Sequence, residues 1–195
     1  MDQNLTITVF GSSRPVEGDA EYELARSVGK ALATAGYDVC NGGYGGTMEA
    51  AARGAKEAPR GFATDGKIPL YGMPYSGTIG VVAEFFGTRT NQWIDKVIVV
   101  PSLVERLMKL VELGDGYIIL KGGTGTLLEF AAVWELMNKN VMKEKPIVVV
   151  GNFWNDVVGT LKNELLFEGK ASCTKFVSVA GNATEAVCLL NEKLL

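Results

Sequence analysis

The chain has 195 residues and a formal net charge of −3, and 47% of its residues are hydrophobic while 21% are charged. This composition is typical of globular proteins and excludes both a disordered chain and a broadly basic surface for nucleic acid or anionic membranes. The length suits one sizeable core, so we expect a single domain over residues 1–195.

The absence of histidine and the wide spacing of the cysteines limit the catalytic mechanisms and metal sites that the chain can have. The chain has no histidine, which excludes Ser-His-Asp hydrolysis, His-ligated zinc and histidine acid/base catalysis. Cys40, Cys173 and Cys188 are widely spaced without a C-x-x-C pattern, so we expect reduced core thiols and no metal site. The start "MDQNLTITVF" lacks the pattern of a signal peptide, which predicts a cytoplasmic protein. Catalysis would use carboxylates, Arg, Lys, Tyr, Ser, Thr or backbone amides, without a cofactor.

Apolar strands alternate with amphipathic helices along the chain. Strands are predicted at residues 5–10, 37–40, 96–100, 116–120, 145–150 and 176–179, with one more at "PLYGM" (69–73) in an irregular stretch. Ser102 and Asn182 are predicted N-caps, each with a Glu three residues later. The alternation predicts an α/β fold of the Rossmann-like, doubly wound class, with a mainly parallel sheet and helices on both faces.

Three glycine-containing loops each follow a predicted strand and precede a helix: "FGSSR" (10–14), "NGGYGGTM" (41–48) and "KGGTGT" (121–126). In such folds ligands bind beyond the carboxyl ends of the strands. Glycine lets backbone N–H groups approach an anion, and the first turn of a helix offers unpaired N–H donors, so we predict a phosphate site. The alternative is that short strand-to-helix connections use glycine for steric reasons alone.

The loops lack a Walker A motif and the dinucleotide G-x-G-x-x-G after the first strand, so ATP hydrolysis and NAD binding are not indicated. Arg89 and Lys121 are candidates for supplementary phosphate contacts. The predicted substrate- and phosphate-binding residues are Gly11, Ser12, Gly43, Gly45, Gly46, Thr47, Met48, Gly122, Gly123, Thr124, Gly125 and Thr126.

The segment "GGTGTLLE" (122–129) matches the G-G-x-G-T-x-x-E signature of the Lonely Guy family, which is often mislabelled as lysine decarboxylases. "FGSSR", "NGGYGGTMEAAARGA", "TIGVV" and "NQWIDKVIVVPSLVERL" resemble further segments of that family in the same order. The resemblance extends to about residue 150. A pyridoxal-phosphate decarboxylase usually stacks a histidine on its cofactor, so the absence of histidine argues against that activity.

The resemblance implies function, because characterised members are phosphoribohydrolases that act on cytokinin nucleotides. The family's arginine and glutamate fall on Arg106 and Glu129, which the resemblance implies are catalytic. A carboxylate can stabilise an oxocarbenium-like transition state and deprotonate water. We expect Glu129 in the first turn of its helix and Arg106 near the start of the preceding helix. If the two strands before these helices are neighbours, both side chains reach one ligand.

Two interpretations follow. The first is a phosphoribohydrolase that cleaves the N-glycosidic bond of a nucleoside 5′-monophosphate, releasing adenine or an N6-substituted adenine and ribose 5-phosphate. The alternative is a non-catalytic protein that binds a nucleotide or a phosphorylated cofactor, like the molybdenum-cofactor carriers. Leu107 stands where the family has Lys, which favours the alternative, and Lys121 replaces a Pro. The resemblance also implies a homodimer or higher homo-oligomer; we expect neither nucleic acid nor membrane as a partner.

Overall fold

A computed structural model of the chain describes residues 4–59 and 76–195. A sheet of seven parallel strands runs through these ranges, in the order β4-β3-β2-β1-β5-β6-β7. The strands are β1 (Thr6–Phe10), β2 (Asp38–Asn41), β3 (Thr78–Ala83), β4 (Lys96–Val100), β5 (Gly116–Ile119), β6 (Ile147–Val150) and β7 (Val177–Ala180). β3 was not among the predicted strands, and the strand predicted at 69–73 lies outside the described residues.

Helices cover both faces of the sheet. They are α1 (Ala20–Thr34), α2 (Thr47–Lys56), α3 (Leu103–Leu113), α4 (Thr124–Asn138), α5 (Asn155–Phe167) and α6 (Ala183–Leu194). Helices α1, α2 and α6 pack on one face, and α3, α4 and α5 pack on the other, so each face has its own apolar core. The predicted α/β class is therefore confirmed. Within the described ranges, none of these helices combines the length and apolarity needed to cross a bilayer.

Local signals in the sequence account for several helix ends. The Ser102 hydroxyl accepts a hydrogen bond from the Glu105 N–H at 3.2 Å, and the Asn182 side chain accepts one from the Glu185 N–H at 3.0 Å. Both predicted N-caps are thus confirmed, and each satisfies an N–H that the helix leaves unpaired. Gly36, with φ +90°, follows the end of α1 in a conformation that only glycine adopts without strain.

The position of β4 differs from expectation. β4 lies at the edge of the sheet, with β3, β2 and β1 between it and β5, so the two strands that precede α3 and α4 are not neighbours. Helix α3 therefore crosses back over the sheet, in contact with β3, β2 and β1. The apolar run of β4 predicted a strand covered on both faces, but in the described part of the chain Val97 and Val99 are 43% and 45% exposed.

All three cysteines are free thiols, as predicted. Cys40 and Cys173 are buried, but Cys188 is exposed, so the expectation of a core thiol is wrong for Cys188. The reason is helical phase: α6 buries Ala183, Ala186 and Leu190 against the sheet, and Cys188 points away from that face.

Candidate functional site

A cavity of about 600 Å³ opens at the carboxyl edge of the sheet. Strand order reverses between β1 and β5, because β2, β3 and β4 extend to one side of β1 and β6 and β7 to the other. The cavity lies beside this reversal, where open α/β sheets bind ligands. Its walls come from the loops after β1, β2 and β5, the turn after β3, and the first turn of α3. The prediction that the three glycine loops share one edge is confirmed.

Arg106 lines the middle of this cavity and is fixed from several sides. It is only 9% exposed. Its Nε donates to the carbonyl of Val81 at 2.9 Å, and its guanidinium lies 5.5 Å from the ring centroid of Tyr44. A Cβ on Gly42 would lie 1.6 Å from the Arg106 Nη2, so this position accepts only glycine while the guanidinium stays in place. Arg106 is therefore a preorganised buried cation.

Glu129 faces Arg106 across the cavity. The Glu129 Oε1 lies 3.6 Å from the Arg106 Nη1, and the two side chains are 14% and 11% exposed respectively. Burial raises the pKa of Glu129 to about 7, and the opposing effect of the Arg106 charge is the weaker one. No described residue donates a hydrogen bond to this carboxylate, which helps to explain why burial dominates. Glu129 can thus gain or lose a proton near neutral pH.

Two expectations about this pair need correction. Glu129 is not in the first turn of α4, because the helix begins at Thr124 and its first turn contains no acid. It still lies three residues after Thr126, and both line the cavity. The pair also does not depend on neighbouring strands: Arg106 is anchored on the Val81 carbonyl of β3, and its guanidinium reaches Glu129 of α4 from there.

The first turn of α4 forms one wall of the cavity. Gly123 is its N-cap and provides no side-chain cap. Gly123, Thr124, Gly125 and Thr126 line the cavity, and Thr126 is 3% exposed. Gly122 lies outside the lining; a Cβ there would be 2.1 Å from the Thr126 Oγ1. Gly122 therefore makes room for the threonine.

The loops after β1 and β2 are joined to each other. Gly11 and Ser12 line the cavity, whereas Gly46 and Thr47 do not. The Thr47 N–H and hydroxyl both donate to the carbonyl of Ser12, at 2.9 and 3.0 Å. A Cβ on Gly46, where φ is +71°, would lie 2.3 Å from the same oxygen. Thr47 and Gly46 thus hold the β1 loop in position, and the donors of Thr47 are already used.

The other predicted residues of the β2 loop also fall into two groups, those that line the cavity and those that do not. Met48 lines the cavity, and its Sδ lies 4.0 Å from the Arg106 Nη2. Gly43 and Gly45 are outside the lining. Gly43 has φ +76°, and its carbonyl accepts hydrogen bonds from the backbone and side chain of Asn91. Gly43 therefore shapes the loop behind the cavity wall, whereas a Cβ on Gly45 would have a single neighbour, at 3.9 Å.

Several lining residues were not predicted, namely Val9, Phe10, Ser13, Arg14, Gly42, Tyr44, Phe86 and Leu103. Arg14, Gly42 and Tyr44 belong to the loops that the sequence had already singled out, so proximity in the chain was an available signal. Phe86 follows β3, which was not predicted, and it therefore had no such signal. The aromatic rings of Tyr44 and Phe86 lie edge to face, with centroids 6.4 Å apart.

The two residues that depart from the Lonely Guy pattern, Leu107 and Lys121, do not line the cavity. Leu107 is half-buried and packs against the core between α3 and the sheet. Lys121 forms an ion pair with Glu21 at 2.5 Å and lies over the ring of Phe153. Arg89, the other candidate for a supplementary phosphate contact, is exposed and also outside the lining. Within residues 4–59 and 76–195, no three Cys, Asp or Glu side chains form a metal-binding cluster.

The chain is similar to known proteins over most of its length. A family model described as possible lysine decarboxylase matches residues 48–190, and a model described as SLOG cluster4 family matches residues 4–66. The cytokinin riboside 5′-monophosphate phosphoribohydrolase of Mycobacterium tuberculosis is 30% identical over 175 residues, which cover 87% of this chain and 83% of the relative. An uncharacterised protein of Archaeoglobus fulgidus is 31% identical over 147 residues, which cover 75% of this chain and 83% of that protein.

Solved structures share the fold at lower identity. The molybdenum cofactor binding protein of Rippkaea orientalis has a TM-score of 0.71 at 21% identity, with 99% of each chain covered. The molybdenum cofactor carrier protein of Chlamydomonas reinhardtii has a TM-score of 0.68 at 21% identity, with 98% of this chain and 99% of that chain covered. The family match extends over well more than half of the sequence and includes the glycine signature and both charged residues of the cavity. The chain therefore belongs to the possible lysine decarboxylase family, whose members include the Lonely Guy proteins that its motifs resemble.

Proposed function

We propose that the protein hydrolyses the N-glycosidic bond of a purine nucleoside 5′-monophosphate, with adenine or an N6-substituted adenine as the base. The observation that carries this proposal is the buried Arg106–Glu129 pair in the middle of a cavity with two unlike ends. A volume of about 600 Å³ is within the range of small-molecule sites and accommodates a mononucleotide.

The reaction assigns separate tasks to the two residues. The C1′–N9 bond breaks as positive charge develops on the ribose, and the ionised Glu129 carboxylate stabilises that charge and takes a proton from water. The water oxygen bonds to C1′, giving ribose 5-phosphate. The base leaves with the electron pair of the C1′–N9 bond and takes up a proton from solvent, while Glu129 releases to solvent the proton that it took from water. Arg106 holds the Glu129 side chain in place and hydrogen-bonds the ribose.

The order of the strands suggests how the nucleotide lies. The loops of the neighbouring strands β1 and β5 provide hydroxyl groups and the amides of the α4 N-terminus, which suit the phosphate. The loops after β2 and β3 provide Tyr44 and Phe86, whose rings suit a stacked base. With the base and the phosphate so placed, the ribose lies between them, beside Arg106 and Glu129.

The test is an assay of the wild-type protein with a panel of nucleoside 5′-monophosphates, including AMP and N6-isopentenyl-AMP. Free base and ribose 5-phosphate are measured separately. The proposal predicts equal amounts of both products from an adenine nucleotide, with no products from the 3′-monophosphate isomer at the same concentration. Nucleotide binding without release of base from any member of the panel would contradict it.

A second candidate is a non-catalytic protein that binds a nucleotide or phosphorylated cofactor. The observation that favours it is Leu107, which replaces the family lysine. Because Leu107 packs into the core and not into the cavity, this replacement leaves the wall of the site intact. For that reason we place this candidate second.

We also propose that the chain forms a homodimer. In the described structure α3 and α4 are neighbours, and Val104, Met108 and Leu128 on these helices are 69%, 46% and 51% exposed. Apolar side chains on adjacent helices are typical of a subunit interface. Light scattering after gel filtration should give twice the chain mass of 20.9 kDa, and Val104→Glu should shift the mass toward that of a monomer.

A further inference from the structure

We propose that Arg14 binds the 5′-phosphate of the ligand, together with the first turn of α4, and so makes the cavity select nucleotides over nucleosides. The inference rests on the proposed function for the identity of the ligand. Its own basis is the distribution of charge and of unpaired polar groups at the β1–β5 end of the cavity.

The first step is the position of Arg14. β1 and β5 are adjacent in the sheet, so the loop after β1 faces the loop after β5. Arg14 lines the cavity from the first loop, and Thr124, Gly125 and Thr126 line it from the second. A group that contacts the α4 N-terminus from the cavity therefore lies between that helix and the β1 loop.

The second step is that this end of the cavity has unpaired donors. The α4 N-terminus has no side-chain cap and no acid in its first turn, so its amides and helix dipole are available to an anion. Thr126 is 3% exposed, yet its hydroxyl has no hydrogen-bond partner among the described residues. A bound phosphate oxygen can accept a hydrogen bond from this hydroxyl.

The third step separates Arg14 from the other cations. Arg106 already donates to Val81 and faces Glu129. Among the described residues that line the cavity, Arg14 is the basic side chain without an ion pair, and it is exposed at the cavity mouth. Lys121 is paired with Glu21 outside the lining. Arg14 is thus the cation that can meet an incoming phosphate.

The fourth step is that the Arg14 backbone is held in place. The Arg14 N–H donates to the Ser12 hydroxyl at 3.1 Å, and Thr47 donates two hydrogen bonds to the Ser12 carbonyl. The loop is therefore fixed although the Arg14 side chain is exposed. An ionised Glu129 lies one turn along α4 from Thr126 and would repel a phosphate there, so a compensating cation has a physical purpose.

Calorimetric titrations with AMP, adenosine and ribose 5-phosphate test the proposal. Arg14→Gln should weaken AMP and ribose 5-phosphate binding about 10- to 100-fold, as expected for one charge-assisted hydrogen-bonded pair, and leave adenosine binding unchanged. Arg14→Lys should recover part of the loss. Arg89→Gln is the matched control, because Arg89 is also exposed but does not line the cavity, and it should bind all three ligands like wild type.

Wild-type-like AMP affinity in Arg14→Gln would overturn the proposal, and so would an equal loss for AMP and adenosine or a wild-type protein that does not bind AMP. The hydrolase proposal is tested separately. If AMP binding depends on Arg14 but no base is released, Arg14 retains its role and the hydrolase proposal fails. If base is released but the preference for AMP over adenosine does not change in Arg14→Gln, only the Arg14 proposal fails.

Discussion

The two ends of the cavity differ in what they offer a ligand. At the β1–β5 end, backbone amides, the Thr126 hydroxyl and the Arg14 guanidinium are available as donors. At the β2–β3 end, the lining is aromatic and apolar, with Phe86 55% exposed and Tyr44 already hydrogen-bonded to the backbone after β3. The difference indicates a ligand that is anionic at one end and flat and apolar at the other, with the Arg106–Glu129 pair between its halves.

The largest expected effect comes from disturbing the middle of the cavity without changing its charge. Gly42→Ala places a Cβ 1.6 Å from the Arg106 Nη2, so the guanidinium must leave its present position opposite Glu129. We expect base release to fall at least ~100-fold, the scale of misplacing a catalytic group by about 1 Å. Gly45→Ala is the control: it lies in the same loop, outside the lining, and its Cβ has only one contact, at 3.9 Å. Equal activity of the two variants would mean that the position of Arg106 is unimportant.

The next effect is the dependence of activity on pH. Glu129 has a pKa of about 7 and acts as the ionised form, so kcat/KM should increase with pH and level off above about pH 8. Activity at pH 5.5 should be about 25-fold below that at pH 7.5, a factor that follows from a single pKa near 7. The phosphate of the substrate also titrates near pH 6, so ribose 5-phosphate affinity over the same range supplies the correction. A rate that is highest at pH 5.5 would instead identify Glu129 as a general acid.

A smaller effect should separate the base end from the phosphate end. Phe86→Ala should weaken AMP binding about 10-fold, the scale of one base–aromatic stack, without affecting ribose 5-phosphate. Phe85 is the matched control, since it is 83% exposed and packs edge to face on Phe86 but does not line the cavity. If Phe86→Ala weakened the binding of ribose 5-phosphate as much as that of AMP, the nucleotide would not bind with its base at Phe86.

The smallest effect concerns stability. The folded-state pKa of Glu129 is raised from 4.5 to about 7, so between these values the folded protein binds more protons than the unfolded chain. The free energy of unfolding of wild type should therefore fall, relative to Glu129→Gln, by up to ~3 kcal/mol as pH rises from 4.5 to 8. Urea denaturation of both proteins at several pH values measures this difference. A difference that does not depend on pH would mean that burial does not raise the pKa of Glu129.

Much of the fold follows from the sequence because its signals are local. Alternating apolar strands and amphipathic helices predict the α/β class, and the caps at Ser102 and Asn182 follow from short-range spacing. Strand order is not local. Nothing in the run at 96–100 indicates that β4 lies at the edge of the sheet, and β3 was missed because a short run such as "TIGVV" gives no clear period.

The same limit applies to the candidate site. Sequence motifs were enough to predict the glycine loops and the positions of Arg106 and Glu129. They did not show which residues within the loops line the cavity. Thr47 looks like a phosphate ligand in the sequence, yet its donors bind Ser12 in the fold. Arg14 looks like an ordinary loop charge, and only the adjacency of β1 and β5 places it opposite the α4 N-terminus.

The most direct test of the central claim is the rate of base release at saturating AMP for wild type and Glu129→Gln. The substitution keeps the size of the side chain and removes its charge. We predict that the rate falls at least ~100-fold, as expected on loss of a positioned base and of electrostatic stabilisation, while AMP affinity stays close to that of wild type. Equal rates of base release by the two proteins would contradict the account.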